Sequence, residues 1–314
     1  MPDNSLNPRR PGHLGVHSID HFCLTIPDQA EARTFFEAFG LDVRVERDEL
    51  ALYCHDHPQR WGRLRQGARK RLQYLSFAAF DDDMPRMREH LAGMGIELLS
   101  APEGCDQQGL WFKDPAGTLI EVRPAARCAP TEKSSFVVHS AGPGERGTVN
   151  RSQAPRVRPR RLAHIAIFTD DVDRAVEFYC QALGLRLSDR SADIVAFLHG
   201  AHGSEHHLLA LVKSGGPGLH HSSWDIGSVQ EIGLGSKQMQ EAGYDRAWGV
   251  GRHVLGANYF YYVRDPWGSH AEYSADMDYI PADLDWQGSD QPVEDSMYLW
   301  GPSVPEDFVT NFEL

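Results

Sequence analysis

The chain has 314 residues, 41% hydrophobic and 24% charged, with 31 Lys and Arg against 44 Asp and Glu. The net charge of −13 excludes a nucleic-acid backbone as the main partner, because phosphate recognition needs clustered positive charge. No apolar run approaches the roughly 18 residues of a membrane span, and the apolar content is that of a packed protein, not of a disordered one.

The length is about twice that of a usual single core, which predicts two domains. Residues 1–15 are polar and rich in Pro and Gly and read as a loose lead-in. They lack the apolar core of a secretory signal, so a cytoplasmic location is expected. From Ser18 to Asp28 runs a short apolar strand with His21 near its start. A helix-like segment follows at Glu31 to Val43, and the first half closes on Trp111 to Glu121, a strand, a turn and a strand. Residues 125–159 carry Gly, Pro, Ser and charge without apolar period and read as a linker. The second half then repeats the first. Leu162 to Val172 is again a strand, with His164 near its start, and the helix-like segment at Asp173 to Leu187 places Val176, Tyr179 and Leu183 on one face with Gly184 as its cap. The closing phrase Asp-Pro-x-Gly-x-x-x-Glu ends at Glu121 in the first half and Glu272 in the second. The expected organisation is therefore a module pair at 16–124, the linker, a second pair at 160–276, and an irregular tail at 277–314. The tail is expected to pack over the surface through Trp286, Tyr298 and Trp300, with a lid over the site as the alternative.

The 16 histidines are the compositional surplus. The five cysteines (Cys23, Cys54, Cys105, Cys128, Cys180) have no CxxC spacing and read as free thiols of a reducing compartment. In the second half, His164 on the opening strand, the His220–His221 pair and Glu272 on the closing strand offer two imidazoles and one carboxylate. Such a facial set leaves open positions on a divalent metal, typically non-heme Fe(II), where substrate and O2 both coordinate. A structural zinc would want four closed ligands, often with Cys, and Cys180 falls in the predicted helix.

The pieces LAHIAIF (162–168), EHHLLAL (205–211), LHHSSWDI (219–226) and GRHVLGANYFYYVRDPWGSHAEY (251–273) carry a family resemblance. Over residues 17–123 and 160–275 the chain resembles the type I extradiol ring-cleavage dioxygenases of the vicinal oxygen chelate superfamily, which include catechol, biphenyl-diol and homoprotocatechuate dioxygenases. The phrases RDPWG and WGPSVPED resemble a subgroup acting on substituted catechols or trihydroxylated rings such as trihydroxytoluene. The resemblance implies an α+β fold of tandem βαβββ modules in two domains, of which the second is catalytic. It implies His164, His221 and Glu272 as metal ligands, His207 as the acid/base, His253 as a second-sphere histidine, and Tyr262 as hydrogen-bond partner of the substrate hydroxyl. The cofactor it implies is Fe(II), with Mn(II) as substitute, and O2 is the co-substrate. The partner is a small aromatic diol, cleaved beside its two hydroxyls in aromatic catabolism, and the assembly is a homo-oligomer.

His207 and His221 are 14 residues apart, compatible with adjacent strands joined by the Gly-rich loop Ser214 to Gly218. Trp224, Trp248 and Tyr259 are candidates for an aromatic-substrate pocket or equally for core packing, and His199, His202 and His206 read as a solvated or hydrogen-bonded loop near its mouth. Aligned on the second half, the first half offers His21, Tyr74 and Glu121. A phenol is a poor replacement for imidazole on Fe(II), so the first half is expected to be metal-free. Two rival functions remain on this fold: a metal-dependent glyoxalase-type isomerase, which uses a second Glu as base, and a non-catalytic module that sequesters a small ligand.

Overall fold

The computed structural model describes residues 8–314, so the first seven residues of the expected lead-in lie outside the described residues. The first half contains β1 (Ser18–Ile26), α1 (Gln29–Phe39), β2 (Asp42–Glu46), β3 (Glu49–Tyr53) and β4 (Arg60–Gln66), then β5 (Arg71–Ala79), α2 (Met84–Gly93), β6 (Leu110–Lys113) and β7 (Leu119–Pro124). The second contains β8 (Arg161–Thr169), α3 (Val172–Leu183), β9 (Leu185–Ser191), β10 (Val195–Gly200), β11 (Ser204–Glu205) and β12 (Leu209–Lys213). It continues with β13 (Gly218–Asp225), α4 (Val229–Glu241), β14 (Ala247–Arg252), β15 (Tyr259–Arg264) and β16 (His270–Ala275). In the tail, β17 (Tyr279–Ile280) pairs with β11, and α5 is a single turn (Val293–Ser296).

These are the expected βαβββ repeats. The first sheet runs β2-β3-β4-β1-β5-β7-β6 and the second β14-β15-β16-β13-β8-β12-β10-β9. In each, the two modules join through their opening strands, which pair antiparallel, while each closing strand lies parallel to its module's opening strand. Helices α1 and α3 start alike because Asp28 and Asp171 accept hydrogen bonds from backbone N–H groups of the first turn, which satisfies donors that a helix end leaves free. They end alike at Gly40 (φ 100°) and Gly184 (φ 66°). An added Cβ there would lie 2.2 Å from the carbonyl oxygens of Val157 and Leu14, so both backbone conformation and close approach demand glycine.

The two halves differ from the expected pair of separate cores. One contiguous apolar core runs from Val16 to Ala275, because the first helix of each half packs on the other half. Phe39 of α1 stacks on Tyr273 at 4.0 Å, and Tyr273 Oη donates to the Phe39 carbonyl at 2.7 Å. Tyr179 of α3 donates to Asp114 at 2.9 Å. Residues 8–15 are not loose either: Arg9 pairs with Asp82 and Asp83, and the Arg10 backbone N–H donates to His202. The segment 125–159 has a single 3-10 turn as its regular structure. It is nonetheless anchored, with Cys128 bonded to Ser18 and Phe136 stacked on Tyr259. No helix among the described residues is long and apolar enough to cross a membrane.

Candidate metal centre

Strands β8, β13, β16 and β15 lie side by side, and their register sets out a single row of side chains. His164 pairs with Ser223, Ser223 with Glu272, and Glu272 with Tyr262. Directly paired residues point to the same face, and so do residues two apart on one strand. His221, two before Ser223, therefore joins His164 and Glu272, and its Nε2 lies 3.1 Å from His164 Nε2 and 3.6 Å from Glu272 Oε2. The third edge, His164 Nε2 to Glu272 Oε2, is 3.2 Å. Three donors on one face of an octahedral ion, each about 2.1 Å from it, are about 3.0 Å apart. All three residues are buried, and Glu272 Oε2 has no hydrogen-bond partner of its own. Burial alone would raise the Glu272 carboxyl, but His164, joined by His253 and Ser223, outweighs it and holds the group below its ordinary value. A buried carboxylate oxygen without a hydrogen-bond partner, facing two imidazoles, is a donor set that could hold a divalent cation.

Neighbouring groups orient these donors. His221 Nδ1 lies 2.6 Å from His220 Nδ1; with Nε2 turned to the centre, His221 donates and His220 accepts. The other carboxylate oxygen, Glu272 Oε1, accepts from Asn258 Nδ2 at 3.2 Å. Neither role is legible in the sequence. His220 is visible there as one of a pair, whereas Asn258 carries no signal beyond lying within the GANYFYY phrase.

The structure brings His207, His253 and Tyr262 to the same cavity as His164 and His221. His253 Nδ1 donates to the Met297 carbonyl at 2.7 Å, which leaves Nε2 to accept from Tyr262 Oη at 2.9 Å. Burial, aided by Glu272, raises the Tyr262 phenol well above its usual range. Burial, joined by the neighbouring imidazoles of His164, His206 and His253, pushes His207 well below its ordinary value, so it faces the cavity uncharged. His207 does not sit on a strand beside His221 as expected. It lies in the connection just before β12, and β8 runs between β12 and β13. The Gly-rich loop is a crossover over β8, not a hairpin.

The cavity walls are Ile194, Val195, Phe197, Val212, Leu255 and Phe308. Trp224, Trp248 and Tyr259 are not among them. Trp224 is in the shared core, Trp248 stacks behind Tyr262, and Tyr259 stacks on Phe136. The tail, expected chiefly as surface cover, supplies Val293, Ser296, Met297, Phe308 and Val309 to the wall. Of its expected anchors, Trp286 donates to the Ser188 carbonyl and Tyr298 packs on Trp248, but Trp300 is half exposed.

The first half repeats the row in register. His21 pairs with Ser76, Ser76 with Glu121, and Tyr74 stands where His221 stands. Tyr74 Oη lies 3.1 Å from His21 Nε2 and accepts from Arg63 Nη1 at 2.8 Å, so a guanidinium approaches the position equivalent to the metal centre.

His199, His202 and His206 are buried and hydrogen-bonded, to Ser188, the Arg10 backbone N–H and Asp189, and are not solvated. Burial pushes His199 to about 3, helped by Arg186, and His202 to about 4, helped by Arg9. His17 falls to about 3 through burial and Arg127. These values lie below the unfolded value of 6.5, so the neutral rings stabilise the fold above about pH 6.5, and that stability is lost as pH falls towards 4 and 3. Each ring then costs about 2 kcal/mol at pH 5. Urea unfolding of metal-free protein should show a sharply lower midpoint at pH 5 than at pH 7; equal midpoints would refute buried neutral rings.

Comparison with known proteins agrees with this architecture. Residues 161–273 match the Glyoxalase/Bleomycin resistance protein/Dioxygenase superfamily. Over 304 residues, 97% of this chain and 94% of the relative, the chain is 52% identical to Metapyrocatechase 2 of Cupriavidus necator. Two solved structures share the fold. An extradiol ring-cleaving dioxygenase from Brevibacterium fuscum has a TM-score of 0.76 at 22% identity, covering 97% of this chain and 85% of the other. A Mn(II)-bound glyoxalase from Novosphingobium aromaticivorans has a TM-score of 0.74 at 24% identity, covering 93% and 94%. The chain belongs to the extradiol ring-cleaving dioxygenases of the vicinal oxygen chelate superfamily. It is thus an oxidoreductase of aromatic catabolism whose family implies a catalytic metal, iron or manganese, and O2 as co-substrate.

Proposed function

We propose that this chain holds Fe(II) through His164 Nε2, His221 Nε2 and Glu272 Oε2, and opens an uncharged catechol-type ring beside its two hydroxyls. The observation that carries the reading is the convergence of those three buried atoms, one an unsatisfied carboxylate oxygen, at the apolar cavity. When bound, such a metal lowers the pKa of a coordinated hydroxyl and brings diol and O2 together. The protein supplies the rest. His207, neutral and facing the cavity, takes a proton from a substrate hydroxyl and later returns one. Tyr262, whose proton is committed to His253, turns an oxygen lone pair towards a substrate O–H. The apolar walls exclude water and seat the ring.

Apart from Glu272 at the centre, no Lys, Arg, Asp or Glu lines the cavity among the described residues. A ring bearing a carboxylate would be desolvated there without a counter-charge, which disfavours it. The same absence of a second carboxylate leaves a glyoxalase-type isomerase without its base. In the first half, the Arg63 guanidinium beside Tyr74 opposes a cation, so we assign one metal per chain. The test is metal analysis of protein purified without air, followed by O2 uptake with catechol, methylcatechols and a carboxylated catechol. One iron per chain, stoichiometric O2 uptake and a yellow ring-fission product from the uncharged diols are expected. Absence of iron and of product from every diol would refute the reading, and manganese with full activity would correct the metal alone. His207→Ala should keep its metal and lose about 10²- to 10⁴-fold in kcat.

A further inference from the structure

We propose that Asp189 and His206 form a buried relay that fixes the tautomer and orientation of His207, so that an unprotonated Nε2 faces the cavity. The inference rests on the reading of His207 as the group that takes the substrate proton. Asp189, on β9, accepts the Ser289 backbone N–H at 2.6 Å and the Ser289 hydroxyl at 2.5 Å through Oδ1. Its Oδ2 lies 2.7 Å from His206 Nε2, and His206 Nδ1 lies 3.0 Å from His207 Nδ1. Asp189 and both histidines are buried. Burial works to raise the Asp189 carboxyl, but the bonds from His206 and Ser289 overcome it and keep the group below its ordinary value.

The polarity of the chain follows link by link. A carboxylate accepts and does not donate, so the His206 Nε2 facing Asp189 carries a proton, and in the relay that is its one proton, with Nδ1 as an acceptor. His207 must then donate from Nδ1, and its Nε2 carries a lone pair. That is the form a base needs, and the opposite tautomer would present an N–H to a hydroxyl whose proton has to leave. His206 and Asp189 touch neither substrate nor metal; they are positioning residues. Ser289 comes from the tail, so the tail supplies one end of the relay as well as part of the cavity wall.

Asp189→Asn tests the polarity with almost no change of shape. The Ser289 backbone N–H can only donate, so the carboxamide oxygen of the variant must remain on that side and its NH2 must face His206 Nε2. His206 then carries its proton on Nδ1, His207 accepts at Nδ1, and the proton of His207 moves to Nε2. Asp189→Ala removes the constraint without inverting it, yet orphans the Ser289 N–H and is the less stable of the two variants. Nitrogen-15 NMR of metal-free, histidine-labelled protein reads the tautomers without activity, and steady-state kinetics of the iron-loaded enzyme reads the consequence. We expect His207 protonated on Nδ1 in the wild type and on Nε2 in Asp189→Asn. In Asp189→Asn, kcat should fall by roughly a hundredfold or more, with KM within about threefold. Asp189→Ala should lose only about tenfold in kcat despite its lower stability. A wild-type His206 protonated on both nitrogens, an unchanged His207 tautomer in Asp189→Asn, or Asp189→Ala worse than Asp189→Asn in both stability and kcat would overturn the relay. Full turnover in His207→Ala would instead sink the proton role of His207 and leave the tautomer measurement standing.

Discussion

Replacing His221 with alanine is expected to strip the metal and abolish measurable ring cleavage while leaving the fold intact. Its Nε2 closes two of the three edges of the centre, and the variant leaves His164 and the buried Glu272 carboxylate to hold a dication alone. Loss of a group that merely orients a ligand typically costs about 10- to 100-fold in metal affinity, so loss of the ligand itself should exceed about a hundredfold. His220→Ala provides the scale. It removes the acceptor for His221 Nδ1 and should fall within that range of roughly 10- to 100-fold. Iron titration of both variants decides the order, and tighter binding by His221→Ala than by His220→Ala would reverse the assignment of the pair.

Glu313→Ala is expected to be the most damaging substitution for stability outside the cavity. Glu313, the second-last residue, pairs with Lys70 Nζ at 2.6 Å, with side chains only 3% and 6% exposed. It also accepts the backbone N–H groups of Leu72 at 2.8 Å and Leu219 at 3.0 Å. One carboxylate thus ties the start of β5, the start of β13 and the end of the chain together. Removing it strands a buried ammonium and two backbone donors, at a cost of about 3–5 kcal/mol. Chemical denaturation should show that loss, and a change under about 1 kcal/mol would mean that the ion pair contributes little. The nearby wall residue Phe308, held by the same tail, gives the variant a second readout in a weakened KM.

The trio whose donor atoms converge, His164, His221 and Glu272, was legible as a candidate set because it obeys local rules. His164 and Glu272 sit in apolar strands, and the repeated Asp-Pro-x-Gly turn sets the closing strand against the rest. The helix ends were legible for the same reason: a left-handed cap at Gly184 is a property of a few consecutive residues. The choice of His221 over His220 came from family resemblance, and the register then placed the second of the pair on the same face as Ser223, His164 and Glu272. The hairpin expected between His207 and His221 failed at the crossover, because a short Gly-rich loop serves a neighbour-but-one connection as readily as a tight antiparallel turn. Of the two readings of His199, His202 and His206, hydrogen bonding holds and solvation fails, because covers such as Arg10 on His202 and Trp286 on His206 lie far away in the chain.

The sequence by itself determined a duplicated mixed α/β plan of strand, helix and hairpin signals, the phenol of Tyr74 in place of the middle imidazole, and His164, the His220–His221 pair and Glu272 as candidate ligands, since each depends on periodicity or on a motif within about a dozen positions; the βαβββ modules and the choice of His221 came from the family resemblance. Only the tertiary structure decided that the halves share one core and that the tail walls the cavity. It alone placed Asn258 against Glu272, His220 against His221, and His206 and Asp189 in line behind His207. Contacts that tie the fold together join residues up to 275 positions apart, and a side chain's partner across such a distance is set by how strands and helices stack, which no local pattern encodes.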